Sequence, residues 1–231
     1  MIQIEKFHNE MAGIIRNMAN VYLQKQFANN LYGRAKRGRL VSAASDFQDA
    51  LALFLVKLLP VDYQIFVDYP ISYSVSSNTK ARTFYPDILL VKEDTIEGIF
   101  ELKIDLGYAP PDWLAKKKKE FDRINRAGIV SYISMTRENN RETKELYVSP
   151  NVIEAFVVFS AFNDHGKLAK LKGSSKLFVL TGEWHPNNPA LSSEDIESII
   201  GAVSSDPENL KEWRRLMEFL SSNFGPLNLL D

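Results

Sequence analysis

Two strand-length apolar runs joined by a short polar segment constrain this chain more than any other feature. They are Thr83–Val91 and Glu97–Ile104, with Lys92-Glu-Asp-Thr-Ile96 between them, and they are expected to pair as an antiparallel hairpin. With Asp94 at the centre of the turn, residues equidistant from it face one another, which sets Asp87 opposite Glu101 with Cβ atoms ~5 Å apart. Residues two apart share a strand face, so Glu101 and Lys103 project together while Phe100, Leu102 and Ile104 form an apolar back. Two facing carboxylates destabilise a sheet unless something neutralises them, and a hard divalent cation such as Mg2+, which takes oxygen ligands, does so. The alternative left open is that these charges are ordinary exposed hairpin residues.

The flanking sequence supplies helices. Ile4, Phe7, Met11, Ile14, Met18 and Val21 recur at steps of three and four, which predicts a long N-terminal helix packed on its own domain rather than forming a dimer seam. Ser45-Asp-Phe-Gln48 has the form of a capping box opening a second helix, whose stripe is Phe47, Leu51, Phe54, Leu55 and Leu58. Tyr63–Tyr69 and Ile71–Val75 read as one strand interrupted at Pro70 or as two short ones, and Ser76–Thr79 as a turn. Trp113–Ala127 is expected to be a helix stopped by Gly128, and Val152–Phe162 and Lys176–Thr181 interior strands. Ser192 and Pro207 open two closing helices. Their acidic balance favours packing on the sheet or a partner over a DNA-reading pair.

The expected fold is α/β, a central mixed β-sheet flanked by helices. It reads as a single domain over 1–231, with a helical N-terminal segment (1–44), an α/β core (45–182) and a C-terminal helical pair (190–231).

Asp87 after Pro86, then Glu101 and Lys103, in the order helix, strand, Asp strand, Glu-x-Lys strand, helix, resemble the Pro-Asp…(Asp/Glu)-x-Lys nuclease superfamily. That superfamily includes type II restriction enzymes, Holliday-junction resolvases and Mrr-like enzymes. The resemblance covers roughly residues 45–130. It implies a restriction-endonuclease-like core in which Asp87 and Glu101 hold Mg2+ (Mn2+ substituting), with the Leu102 carbonyl a further ligand. It also implies that Lys103 orients or activates the attacking water. Members often add an acid from the preceding helix; here Asp49 is the first choice and Asp46 the second, although the family more usually has Glu.

The implied activity is hydrolysis of DNA, as an endonuclease of restriction type or as a structure-specific repair or recombination nuclease. A nucleic-acid-binding protein that keeps the fold without catalysis is the rival. A bound divalent metal would supply the nucleophile and the charge compensation, so no serine, cysteine or histidine nucleophile is required. His8, His165 and His185 have no metal-like spacing, and none is assigned to the site. Cutting two strands makes a homodimer the economical expectation.

Composition and charge narrow the classes further. The absence of cysteine excludes a disulfide framework, a thiol nucleophile, a zinc finger and an iron–sulfur cluster. No apolar run approaches the ~18 residues of a membrane span, and the start lacks a secretory pattern, so a cytoplasmic protein without membrane partners is expected. Net charge is only −1, but residues 1–44 carry seven bases against two acids, and residues 190–231 three bases against eight acids. Candidate DNA-backbone contacts are Arg34, Lys36, Arg37 and Arg39 in the basic stretch, and Lys117 and Lys118 in the run after the hairpin. Solvated charge runs, and a random partition of surface charge between the ends, remain open for both.

Overall fold

The expected hairpin forms and lies inside the sheet. The computed structural model describes residues 2–31, 43–76, 80–135, 141–164, 166, 176–186 and 196–228. Strands β4 (Ile88–Lys92) and β5 (Thr95–Asp105) reverse through Glu93 and Asp94, both at positive φ, the two-residue turn that matches strand twist. Near the turn Val91 faces Ile96; beyond it Leu90 faces Gly98, so Glu97 is an extra residue. This β-bulge shifts the register by one and restores the pairing expected from a turn centred on Asp94. Ile88 faces Phe100, and one further step along that register sets Asp87 opposite Glu101.

The strand foreseen over Thr83–Val91 is divided. Strand β3 (Arg82–Phe84) is followed by Tyr85, Pro86 and Asp87 outside any strand, before β4 begins. Pro86 has no N–H to give a ladder. The segments around Pro70 are likewise two strands, β1 (Tyr63–Val67) and β2 (Ile71–Tyr73).

Among the described residues the sheet has eight strands in the order β1-β4-β5-β7-β6-β2-β3, with β8 (Leu177–Val179) paired to β7. It is mixed: β7 (Arg141–Ser160) runs parallel to β5 and β8 but antiparallel to β6 (Ile129–Met135). β1 and β2 lie far apart in this order although only residues 68–70 separate them, so the sheet must curl. Strand β7 carries the bend. Ile96 faces Val148 and Gly98 faces Ile153, leaving Ser149–Val152 as the irregularity, with Pro150 in it.

Helices cover both faces. α1 (Ile2–Leu31), α2 (Ala44–Leu58), α4 (Ile196–Ser205) and α5 (Pro207–Phe224) share one core with Ile88, Leu90, Phe100, Leu102 and Val157. α3 (Trp113–Ala127), closed by Gly128 in the left-handed conformation, packs on Leu89, Val91, Ile99, Phe156 and Val158 opposite. Met11, Ile14 and Met18 are buried in the chain's own core, as expected of a helix packed on its own domain. α5 likewise buries Trp213, Leu216, Leu220 and Phe224, so its apolar stripe serves the core. Gly98 lets it approach: a Cβ there would come within 3.0 Å of the Phe224 ring.

The capping box at Ser45 does not form. The helix starts two residues earlier, with Ala43 as N-cap and no side-chain cap bond, and the Gln48 amide is turned toward Asp87 instead. The turn expected over Ser76–Thr79, the cap at Ser192 and His165 fall wholly or partly outside the described residues.

Trp213 is fully buried, stacks edge-on against Phe54 and donates its indole N–H to the Leu180 carbonyl at 2.9 Å. Trp213→Ala should therefore cost about 3–5 kcal/mol, measured as a shift of the urea unfolding midpoint. A loss below about 1 kcal/mol would show that α5 is not integral to the core.

Candidate metal and phosphate site

Four elements meet at the end of the hairpin remote from its turn. Asp87 is fixed by its main chain, whose carbonyl accepts from Asp68 N at 3.0 Å as a continuation of the β1–β4 pairing. Its carboxylate is held on both oxygens. Gln48 Nε2 of α2 donates to Oδ1 at 2.5 Å, and Leu102 N of β5 donates to Oδ2 at 2.6 Å. Each carboxylate oxygen has two lone pairs, so these two bonds orient the group and leave capacity for a cation.

Glu101 points to the other face of β5 from Leu102, under α3, and is only 1% exposed. This removes the exposed-hairpin alternative for Glu101. Lys117, about one turn past Trp113 at the start of α3, donates its ammonium to Glu101 Oε1 at 2.5 Å. The same ammonium sits 4.8 Å from the centre of the Phe84 ring. Lys103 follows Glu101 on the same face, its ammonium 5.4 Å from the Trp113 ring centre, a favourable cation–π position.

Burial, and secondarily the charge of Asp87, push the Glu101 carboxyl up to about 8, against the opposing pull of Lys117 and Lys103. The Asp87 charge thus reaches Glu101 and adds to the effect of burial.

The remaining expectations are distributed unevenly. Asp49 is exposed and Asp46 partly buried. Among the described residues no group of three or more His, Cys, Asp or Glu side chains converges as a metal set. Neither helix acid therefore joins Asp87 and Glu101; the α2 residue that reaches the site is Gln48. The Leu102 N–H is directed to the Asp87 edge, and an extended residue projects its C=O to that same edge. The available donors are thus two carboxylates and a main-chain carbonyl, all hard oxygens. That suits Mg2+, which binds one or two carboxylates and completes its shell with water and phosphate. Lys118 is exposed and its charge acts on Glu154 of β7. Arg34, Lys36, Arg37 and Arg39 lie outside the described residues.

A second polar group lies just beyond the site. Asp105, two residues past Lys103, accepts from Gly107 N and Asn163 Nδ2, both at 2.7 Å. His185 Nε2 stands 3.9 Å from it, and burial lowers the imidazole pKa. The alternation Glu101, Lys103, Asp105 was the one sequence signal for this group.

Comparison with protein-family models, curated proteins and solved structures finds no match.

Folded Glu101 keeps its proton up to about pH 8, whereas its ordinary value is 4.5. Between those values the folded state binds more protons than the unfolded chain, so its stability falls as pH rises from about 5 to about 8. In EDTA-containing buffer, Glu101→Gln should flatten this part of the stability–pH curve, where the wild type loses on the order of 1 kcal/mol per pH unit. Parallel curves for the two proteins would contradict the assignment.

Proposed function

We propose that this chain is a Mg2+-dependent nuclease that hydrolyses phosphodiester bonds in DNA, most economically an endonuclease on duplex DNA working in the cytoplasm as a homodimer. The observation that carries this reading is the buried Glu101 carboxyl, in register with Asp87 and under its electrostatic influence, with the amines of Lys117 and Lys103 on the same side. A restriction-endonuclease-like core is the corresponding fold proposal. It is supported by the succession of α2, the hairpin and α3, and by the mixed sheet.

Asp87 and Glu101 would hold the cation, with the Leu102 carbonyl as a further ligand. When bound, the metal would supply Lewis acidity and a lowered water pKa. Gln48 and the Leu102 N–H orient the Asp87 carboxylate, so that its geometry does not depend on the ion. Lys103, resting beside Trp113, is a compact movable cation that would orient the attacking water and offset charge on the phosphate. The Trp113 and Phe84 rings wall the two amines with apolar surface, which strengthens their electrostatic action. Lys118 and the basic residues Arg34, Lys36, Arg37 and Arg39 would add backbone contacts that raise affinity without reading sequence.

Plasmid nicking in Mg2+ or Mn2+ tests the reading. Asp87→Ala should abolish cleavage, and Lys103→Ala should slow it by about 100-fold or more. Equal nicking by wild type and both variants would reject this site as the source of activity. Linear and branched substrates, compared on the same preparation, separate a restriction-type enzyme from a structure-specific one. Binding of DNA without cleavage of any substrate would favour the non-catalytic rival.

A further inference from the structure

The ammonium in contact with Glu101 belongs to Lys117, not to the Lys103 of the Glu-x-Lys pattern. Lys117 donates to Oε1 at 2.5 Å, while Lys103 rests over Trp113. Glu101 is almost wholly buried, whereas the Lys117 side chain remains 27% exposed. The carboxylate is thus fixed at the floor and the amine reaches down from α3 past Phe84, with a route back toward solvent. We propose that Lys117 is a built-in counter-ion occupying the cation seat, and that a divalent metal binds by exchange, evicting the Lys117 ammonium from Glu101 toward the mouth of the site. This rests on the metal reading given above and adds a regulated occupancy to it.

The physical argument is one of valence and reach. An ionised carboxylate buried without a partner is costly, and in the metal-free protein the cation that faces Glu101 is the Lys117 ammonium. A divalent ion held by Glu101 would compete with the ammonium that already contacts Oε1, and like charges that close repel strongly. Asp87 presents no such conflict, because its oxygens are held by the neutral donors Gln48 and the Leu102 N–H. Lysine is suited to the exchange by its flexible stem. Once displaced, its ammonium would be left on the exposed side of α3, available to an incoming phosphate, so the same residue would serve first the empty seat and then the substrate.

The test is calorimetric titration of Mn2+ into the metal-free full chain at one alkaline pH, together with thermal unfolding with and without Mn2+. Lys117→Met should bind Mn2+ about tenfold more tightly than wild type, since no charge-assisted hydrogen bond has to be given up. It should also gain more in Tm from Mn2+ than wild type does. Lys118→Met, an equal change of charge on an exposed neighbouring position, should alter affinity less than about twofold, within the range of a screened surface charge. Lys117→Gln, which keeps a donor for Glu101 without the charge, provides the same comparison if the methionine variant fails to fold. Unchanged or weaker binding in the Lys117 variants, or equal tightening in Lys118→Met, would overturn the exchange while leaving the metal site standing. Absence of Mn2+ binding in wild type and every variant would overturn both.

Discussion

The burial of one carboxylate under a helix sets the terms for the rest of this structure. Glu101 lies in the middle of β5, where the neighbouring positions on both faces are core, and burial disfavours its ionised form while the ammonium that α3 lowers onto it opposes that effect. α3 is placed to do so by its own apolar residues: Trp113, Phe121 and Ile124 pack on the sheet, while Lys117 falls between them on the same side. Trp113 also receives Lys103 on its ring, so the helix that covers the carboxylate supports both amines. A fold selected for stability alone would place an apolar residue at 101.

Asp87 reaches the site by a different route. The break between β3 and β4 at Tyr85-Pro86 lets the chain change direction, and the β1–β4 ladder continues one hydrogen bond further, from Asp68 N to the Asp87 carbonyl. Curling of the sheet then returns β2 and β3 over the α3 face, bringing Phe84 against Lys117. The β7 irregularity at Ser149–Val152 is where that curvature is generated. Two bulges, neither in contact with the carboxylates, therefore set the site: one corrects the hairpin register at Glu97, and the other folds the far strands back over it.

The opposed charges of the two chain ends have an intramolecular outlet. Arg16 of α1 pairs with Glu197 of α4 at 2.7 Å, and Lys57 of α2 with Glu10 of α1 at 2.7 Å. Such surface pairs add little stability, but they join the helices of one core. At Arg16 the charge of α1 is turned toward the acidic end of its own chain. Any phosphate-binding role of the basic stretch rests on residues beyond this helix pair.

The sequence determined by itself what depends on local period and short-range pairing. The boundaries of α3 and its glycine stop, the N-terminal helix and the hairpin with its apolar back were all legible, because helix and strand periodicities report on which side faces a core. Asp87 and Glu101 fell opposite one another even though the turn is at Glu93–Asp94, since the bulge at Glu97 offsets the one-residue difference. Strand β6 and the first half of β7 were not read, because the latter, Arg141–Glu145, is exposed along its length and gives no apolar signal. The site beyond the hairpin was not legible either. Gln48 on Asp87, Lys117 on Glu101, and the curling that brings Phe84 to Lys117 are contacts between segments distant in sequence. Side-chain type and spacing cannot choose among neighbours on a helix; only the packing of α2 and α3 on opposite faces of the sheet decides which one reaches the acid.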